Sequence, residues 1–81
     1  MTATVEQVIK ELRALGLRAE PVSRYPNGIN IFQRVGDAVY DTAWLTKEGD
    51  WVWGYHYQFS YVPDEDDDAS VVASKISETI P

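Results

Sequence analysis

Between Trp51 and Tyr61 every second residue is aromatic (Trp51, Trp53, Tyr55, Tyr57, Phe59, Tyr61), and the residues between them, Val52, Gly54, His56, Gln58 and Ser60, are small or polar. Successive side chains of a strand point to opposite faces, whereas a helix turning ~100° per residue would scatter the rings around its cylinder. The alternation therefore predicts one long two-faced strand over 51–62, with six rings on one side.

Helical spacing governs both ends of the chain. Val5, Val8, Ile9, Leu12 and Leu15 recur on one side of a predicted helix over 5–15, with Glu6, Lys10, Glu11 and Arg13 opposite. Thr4 and Gln7 stand at capping-box spacing. Gly16 supplies a left-handed stop, and Leu17 beyond it is placed to touch Leu12. Ala69, Val72, Ala73, Ile76 and Ile80 predict a second amphipathic helix after Pro63.

Turn chemistry divides the region between. Tyr25-Pro26-Asn27-Gly28 suits a hairpin turn, Gly36-Asp37 a two-residue loop with glycine first, and Lys47-Glu48-Gly49-Asp50 a type I turn closed by a glycine bulge. Three reversals give four antiparallel strands, over 18–24, 28–35, 38–46 and 51–62. Ile29, Ile31 and Val35 share a face of the second. The third offers Tyr40 and Trp44 on one face and Val39, Ala43 and Leu45 on the other, and the alternation does not choose between them.

The expected fold is α+β, a single domain over 1–81. It is a two-layer sandwich in the order αββββα, with both helices on one face of a four-stranded meander. Lengths do not match: twelve strand residues span roughly 40 Å at ~3.3 Å each, and an eleven-residue helix reaches only ~17 Å. Part of the ring row is therefore expected to lie beyond helix cover.

Eighty-one residues leave room for one small core. With no cysteine and one histidine, disulfides are excluded and structural zinc is not expected. Aromatic packing must supply much of the stability. No apolar run approaches the ~18–20 residues of a membrane span, and no basic-then-apolar leader is seen, so a cytoplasmic setting without membrane partners is expected. The net charge of −6 is uneven: residues 1–34 carry five basic and three acidic side chains, and 35–81 carry two and ten. Such a surface repels phosphates, so direct nucleic-acid binding is not expected.

Among candidate chemistries, nucleophilic triads, phosphate cradles, dinucleotide glycine patterns and metalloprotease helices are all missing. The chain reads as a non-enzyme without cofactor or metal. Its leading reading is a small interaction module, an adaptor, inhibitor or regulatory accessory protein, that binds a protein partner or a second copy as a homodimer. The fourth strand would be a sheet edge with no proline, lysine or acid between Trp51 and Val62, and an uncharged edge invites pairing. The expected contact residues are Trp51, Trp53 and Tyr61 of the ring row, His56 and Gln58 of the polar face, and the run Asp64, Glu65, Asp66, Asp67 and Asp68. Within that run Asp67 or Asp68 is expected to cap the second helix. Two alternatives stand beside this reading. The acidic half could imitate a nucleic-acid backbone and inhibit a basic nucleic-acid-binding protein, or a ring-lined pocket could hold a small ligand.

Overall fold

In the computed structural model, which describes residues 3–81, Thr4 Oγ1 accepts from the Gln7 amide at 3.2 Å and Gln7 Oε1 accepts from the Thr4 amide at 3.0 Å. This capping box opens helix α1 (Val5–Ala14). The helix closes as its spacing predicts: the Leu17 amide donates to Leu12 and the Gly16 amide to Arg13, with Gly16 at φ 87°. Leu12 and Leu17 are both buried.

The strands are β1 (Ala19–Val22), β2 (Tyr25–Phe32), β3 (Val39–Leu45), β4 (Trp51–Trp53) and β5 (Phe59–Tyr61), and helix α2 (Ala69–Ser77) ends the order. The fold is α+β with a five-stranded antiparallel sheet in sequence order, β1-β2-β3-β4-β5. It has one strand more than expected. The segment 51–62 does not run straight: at Gly54 (φ 87°, ψ 171°) the chain reverses and β5 returns along β4, pairing Trp51 with Tyr61, Val52 with Ser60 and Trp53 with Phe59. That backbone region belongs almost exclusively to glycine.

Two other turns also fall elsewhere. Tyr25 to Gly28 lies within β2, and the reversal before it is the pair Ser23-Arg24, with Arg24 at φ 75° and Val22 facing Tyr25. Proline's fixed φ suits extended backbone as well as a turn. Pro26 also avoids a ladder vacancy, since the β1–β2 register shifts beside it, between Pro21 and Val22. Between β2 and β3 the chain takes a wider loop over 34–37, closed by the Gln33 amide on Ala38 at 3.0 Å, so Val35 is exposed instead of sharing a face with Ile29 and Ile31. The third turn forms as expected: Gly49 at φ 90° donates to Thr46, and the Thr46 amide donates to Asp50 at 2.8 Å.

Pairing of Ile29 with Ala43 and Leu45 with Trp51 settles the inward face of β3, since paired residues share a side. Ala43 and Leu45 point to the core. Val39 does not: a bulge at Tyr40 shifts the register so that Val39 faces Phe32. Side chains of both helices join Ala19, Ile29, Ile31, Ala43, Trp51 and Trp53 in one buried cluster, with Phe59 and Tyr61 packed at its border. The opposite sheet face carries Trp44 over Gly28, where a Cβ would lie 2.6 Å from the indole, and Tyr25 stands edge-on to Trp44 at 6.0 Å. No helix among the described residues is long and apolar enough to cross a membrane.

Candidate functional site

The five residues that reverse the chain, Gly54 to Gln58, form two overlapping tight turns in which the Tyr57 amide donates to Gly54 and the Gln58 amide to Tyr55. His56 and Tyr57 both sit at φ 54°. Left-handed backbone costs a non-glycine residue roughly 1–2 kcal/mol, and among the described residues only this turn holds two such residues in succession. What the strain holds in place is a pair of rings in water: Tyr55 is 78% exposed and Tyr57 61%. The Tyr55 ring stacks on His56 at 4.0 Å between centroids and 18° between planes, which fixes the direction of both.

Beside the turn lies a groove of about 350 Å³ lined by Tyr40, Asp41, Gly54, Tyr55, Gln58, Phe59 and Thr79. Asp41 is the unusual member. Its partner across the ladder is Ile31, so it stands on the core side of the sheet, at the margin where Thr79 follows the end of α2. One carboxylate oxygen, Oδ1, accepts from the Gly54 amide at 3.0 Å and from the Thr42 amide at 2.7 Å. The carboxylate thereby anchors the first residue of the strained turn. The bulge at Tyr40 brings that ring to the same groove.

The residues expected to meet a partner are divided by this arrangement. Trp51 and Trp53 are 0% and 3% exposed, so neither offers a contact surface; both are core, Trp53 donating its indole N–H to Thr79 Oγ1 at 2.8 Å. β4 lies between β3 and β5, so it is no edge, and the edge position passes to the three residues of β5. His56 and Gln58 stand exposed on the turn. Tyr61 is half-buried, its hydroxyl donating to Asp67.

The acidic run serves in part to build the second helix. Asp68 is the N-cap of α2, its Oδ1 accepting from the Ser70 and Val71 amides at 3.0 and 3.3 Å. Asp67 Oδ2 accepts both the Tyr61 hydroxyl and the Asp64 amide. Asp64 and Glu65 meet Glu48 and Asp50 around a groove of about 190 Å³, and Asp66 faces water. Among the described residues no group of three or more acidic or histidine side chains is placed to hold a metal ion.

The Tyr61 hydrogen bond drives both partners' proton affinities apart. Donation to Asp67, then desolvation and the nearby carboxylates, push Tyr61 up from 10.0 to about 12, while the same bond and the Asp64 amide hold Asp67 below 3.8. A depressed carboxylate contributes stability above its unfolded value and loses it as pH falls through the folded one; a raised phenol contributes below 10 and loses it towards 12. Tyr61→Phe should therefore lower Tm most between about pH 5 and 9, with the difference from the parent closing as the pH falls through the depressed Asp67 carboxyl, below 3.8, and as it rises towards about 12, in thermal melts followed by circular dichroism. A constant difference across that range would show that the ring, and not the hydroxyl, carries the effect.

Comparison with protein-family models, with curated proteins and with solved structures returned no match. The function must be argued from the site itself. Sequence reasoning passed over Asp41, Tyr40, Tyr55 and Tyr57 as site residues. Asp41 carries a legible signal once Ala43 and Leu45 are known to point inward: it is then an acid in a core-facing row.

Proposed function

We propose that this domain is a non-catalytic interaction module that binds a protein partner through the turn Tyr55–Tyr57 and the groove beside it. The observation that carries the reading is the adjacent pair of left-handed residues, His56 and Tyr57, holding two rings in solvent. Backbone strain persists where the surrounding structure over-determines it, and it clusters at sites of function. Tyrosine is a residue type enriched at binding hot spots, because it brings large contact area with little rotamer entropy.

The direct test is a photo-crosslinking side chain placed at position 57 in the cell and, as a control, at Lys10 on the exposed side of α1. A discrete adduct from position 57 that is missing from position 10 supports the reading. No adduct from position 57, or the same adducts from both, overturns it. An adduct of twice the chain's mass would identify the partner as a second copy.

Strain makes a second prediction. Tyr57→Gly removes the ring and relieves the backbone, so stability in urea should rise by about 0.5–1 kcal/mol while the cross-link, moved to position 55, disappears. A stability loss would mean that the ring supports the fold.

One alternative keeps a specific observation in its favour. Glu48, Asp50, Asp64 and Glu65 crowd one groove, which suits imitation of a phosphate backbone towards a basic protein. On that reading, capture would fall steeply with salt and would be abolished by neutralising 64–66, whereas the tyrosine turn would be dispensable.

A further inference from the structure

Resting on the reading that the tyrosine turn meets a protein partner, we infer that the groove beside it receives an arginine side chain of that partner, with Asp41 as the counter-charge. Three observations lead there. Oδ1 of Asp41 is committed to the Gly54 and Thr42 amides, while Oδ2 takes no hydrogen bond among the described residues, and the half-buried residue lines the groove. The walls are aromatic, from Tyr40, Tyr55 and Phe59. No described cation pairs with Asp41: the ion pairs formed are both those of Arg18, and Arg34, across Tyr40 on the 34–37 loop, forms none.

The molecule contains a complete example of the arrangement elsewhere. Arg18 lies with its guanidinium 4.0 Å from the centre of the Phe32 ring while its Nε donates to Glu20 at 2.7 Å, so one flat cation satisfies a ring and a carboxylate together. At Asp41 the ring and the carboxylate are present and the cation is not supplied by the chain. Arginine suits the place better than lysine, because its planar guanidinium is weakly hydrated and lies readily against aromatic faces. The charge of −6 over the whole chain would draw a basic segment towards the surface.

The test uses N-acetyl-arginine amide as the probe, with N-acetyl-citrulline amide as its uncharged match, titrated into the ¹⁵N-labelled full chain. Saturable amide shifts at Gly54, Asp41 and Thr42 are expected with the arginine probe. Binding should be about two- to fivefold weaker with citrulline, the order set by one partly exposed ion pair. Asp41→Asn is the matched variant, since an amide oxygen can still accept from Gly54 and Thr42 while the charge is gone. It should lose the same factor with its other amide positions unmoved. Equal binding of the two probes, shifts confined to Asp64–Asp66, or undiminished binding by Asp41→Asn would overturn the inference. If the probe fails while the cross-link from position 57 persists, the arginine assignment falls and the tyrosine surface stands; loss of the cross-link alone has the opposite meaning.

Discussion

Trp51→Ala cuts the midpoint of urea unfolding, followed by far-UV circular dichroism at 25 °C, by at least about a quarter of its parent value. The ring is fully buried and is the largest such side chain in the chain. Truncating a buried tryptophan to alanine costs ~3–5 kcal/mol, whereas a domain of this length has roughly 4–12 kcal/mol of total stability at ~0.05–0.15 kcal/mol per residue. Phenylalanine at the same place behaves differently. The Trp51 indole N–H is buried and has no acceptor, a vacancy that costs ~1–3 kcal/mol, so Trp51→Phe recovers part of what its lost packing forfeits. Trp53→Phe instead breaks the bond to Thr79 and gains nothing in return. The midpoint in urea should fall further for Trp53→Phe than for Trp51→Phe, although Trp53 is the slightly more exposed ring. The reverse order would show that packing alone ranks the two.

Gly54→Ala should cost ~2–4 kcal/mol, the sum of a backbone region that side chains avoid and a steric clash. A Cβ there would lie 2.5 Å from Phe59 Cδ2 and 3.1 Å from Gln58 Cγ. Gly16 shares the same φ of 87°, yet a Cβ at Gly16 would meet nothing within 4 Å. Gly16→Ala therefore carries no clash and should cost only ~1 kcal/mol. The urea midpoint should fall further for Gly54→Ala than for Gly16→Ala, and equal losses would mean that neither the backbone region at Gly54 nor Phe59 adds a penalty. Because Gly54 also donates to Asp41, its alanine variant should lose the arginine probe together with stability, whereas Gly16→Ala should keep it.

Both helices, the capping box, the glycine stop and the Gly49 turn were legible because each rests on contacts within a few residues. The reversal at Gly54 was not, and the reason is arithmetic. Paired residues of antiparallel strands share a face, and Trp53 is paired with Phe59, six positions on. An even separation keeps the alternation in phase through the turn, so a straight strand and a tight hairpin write the same pattern of rings. Length was the discriminating signal, since strands rarely exceed ten residues and the helices were already too short to cover twelve. The turn at Pro26 failed for a different reason: proline and asparagine tolerate extended backbone as well as a bend, and pairing with β1 and β3 decided between them. Of the residues at the candidate site, His56 and Gln58 were named from the sequence, as the polar face of a straight strand and not as parts of a turn. Asp41 was hidden because its significance depends on which side of β3 faces inward, a property fixed by partners far along the chain.

The face a residue takes in the hairpin is set by its partner across the ladder and not by the length of the tip. Residues added to or removed from 54–58 can leave Phe59 opposite Trp53 and Tyr61 opposite Trp51. A slip of β5 by one residue along β4 would instead turn both rings outward, uncovering the border of the hydrophobic interior and parting the phenol from Asp67. Register is therefore what must be kept, and the exposed loop can lengthen or shorten towards new partners while the sheet beneath it stays as it is.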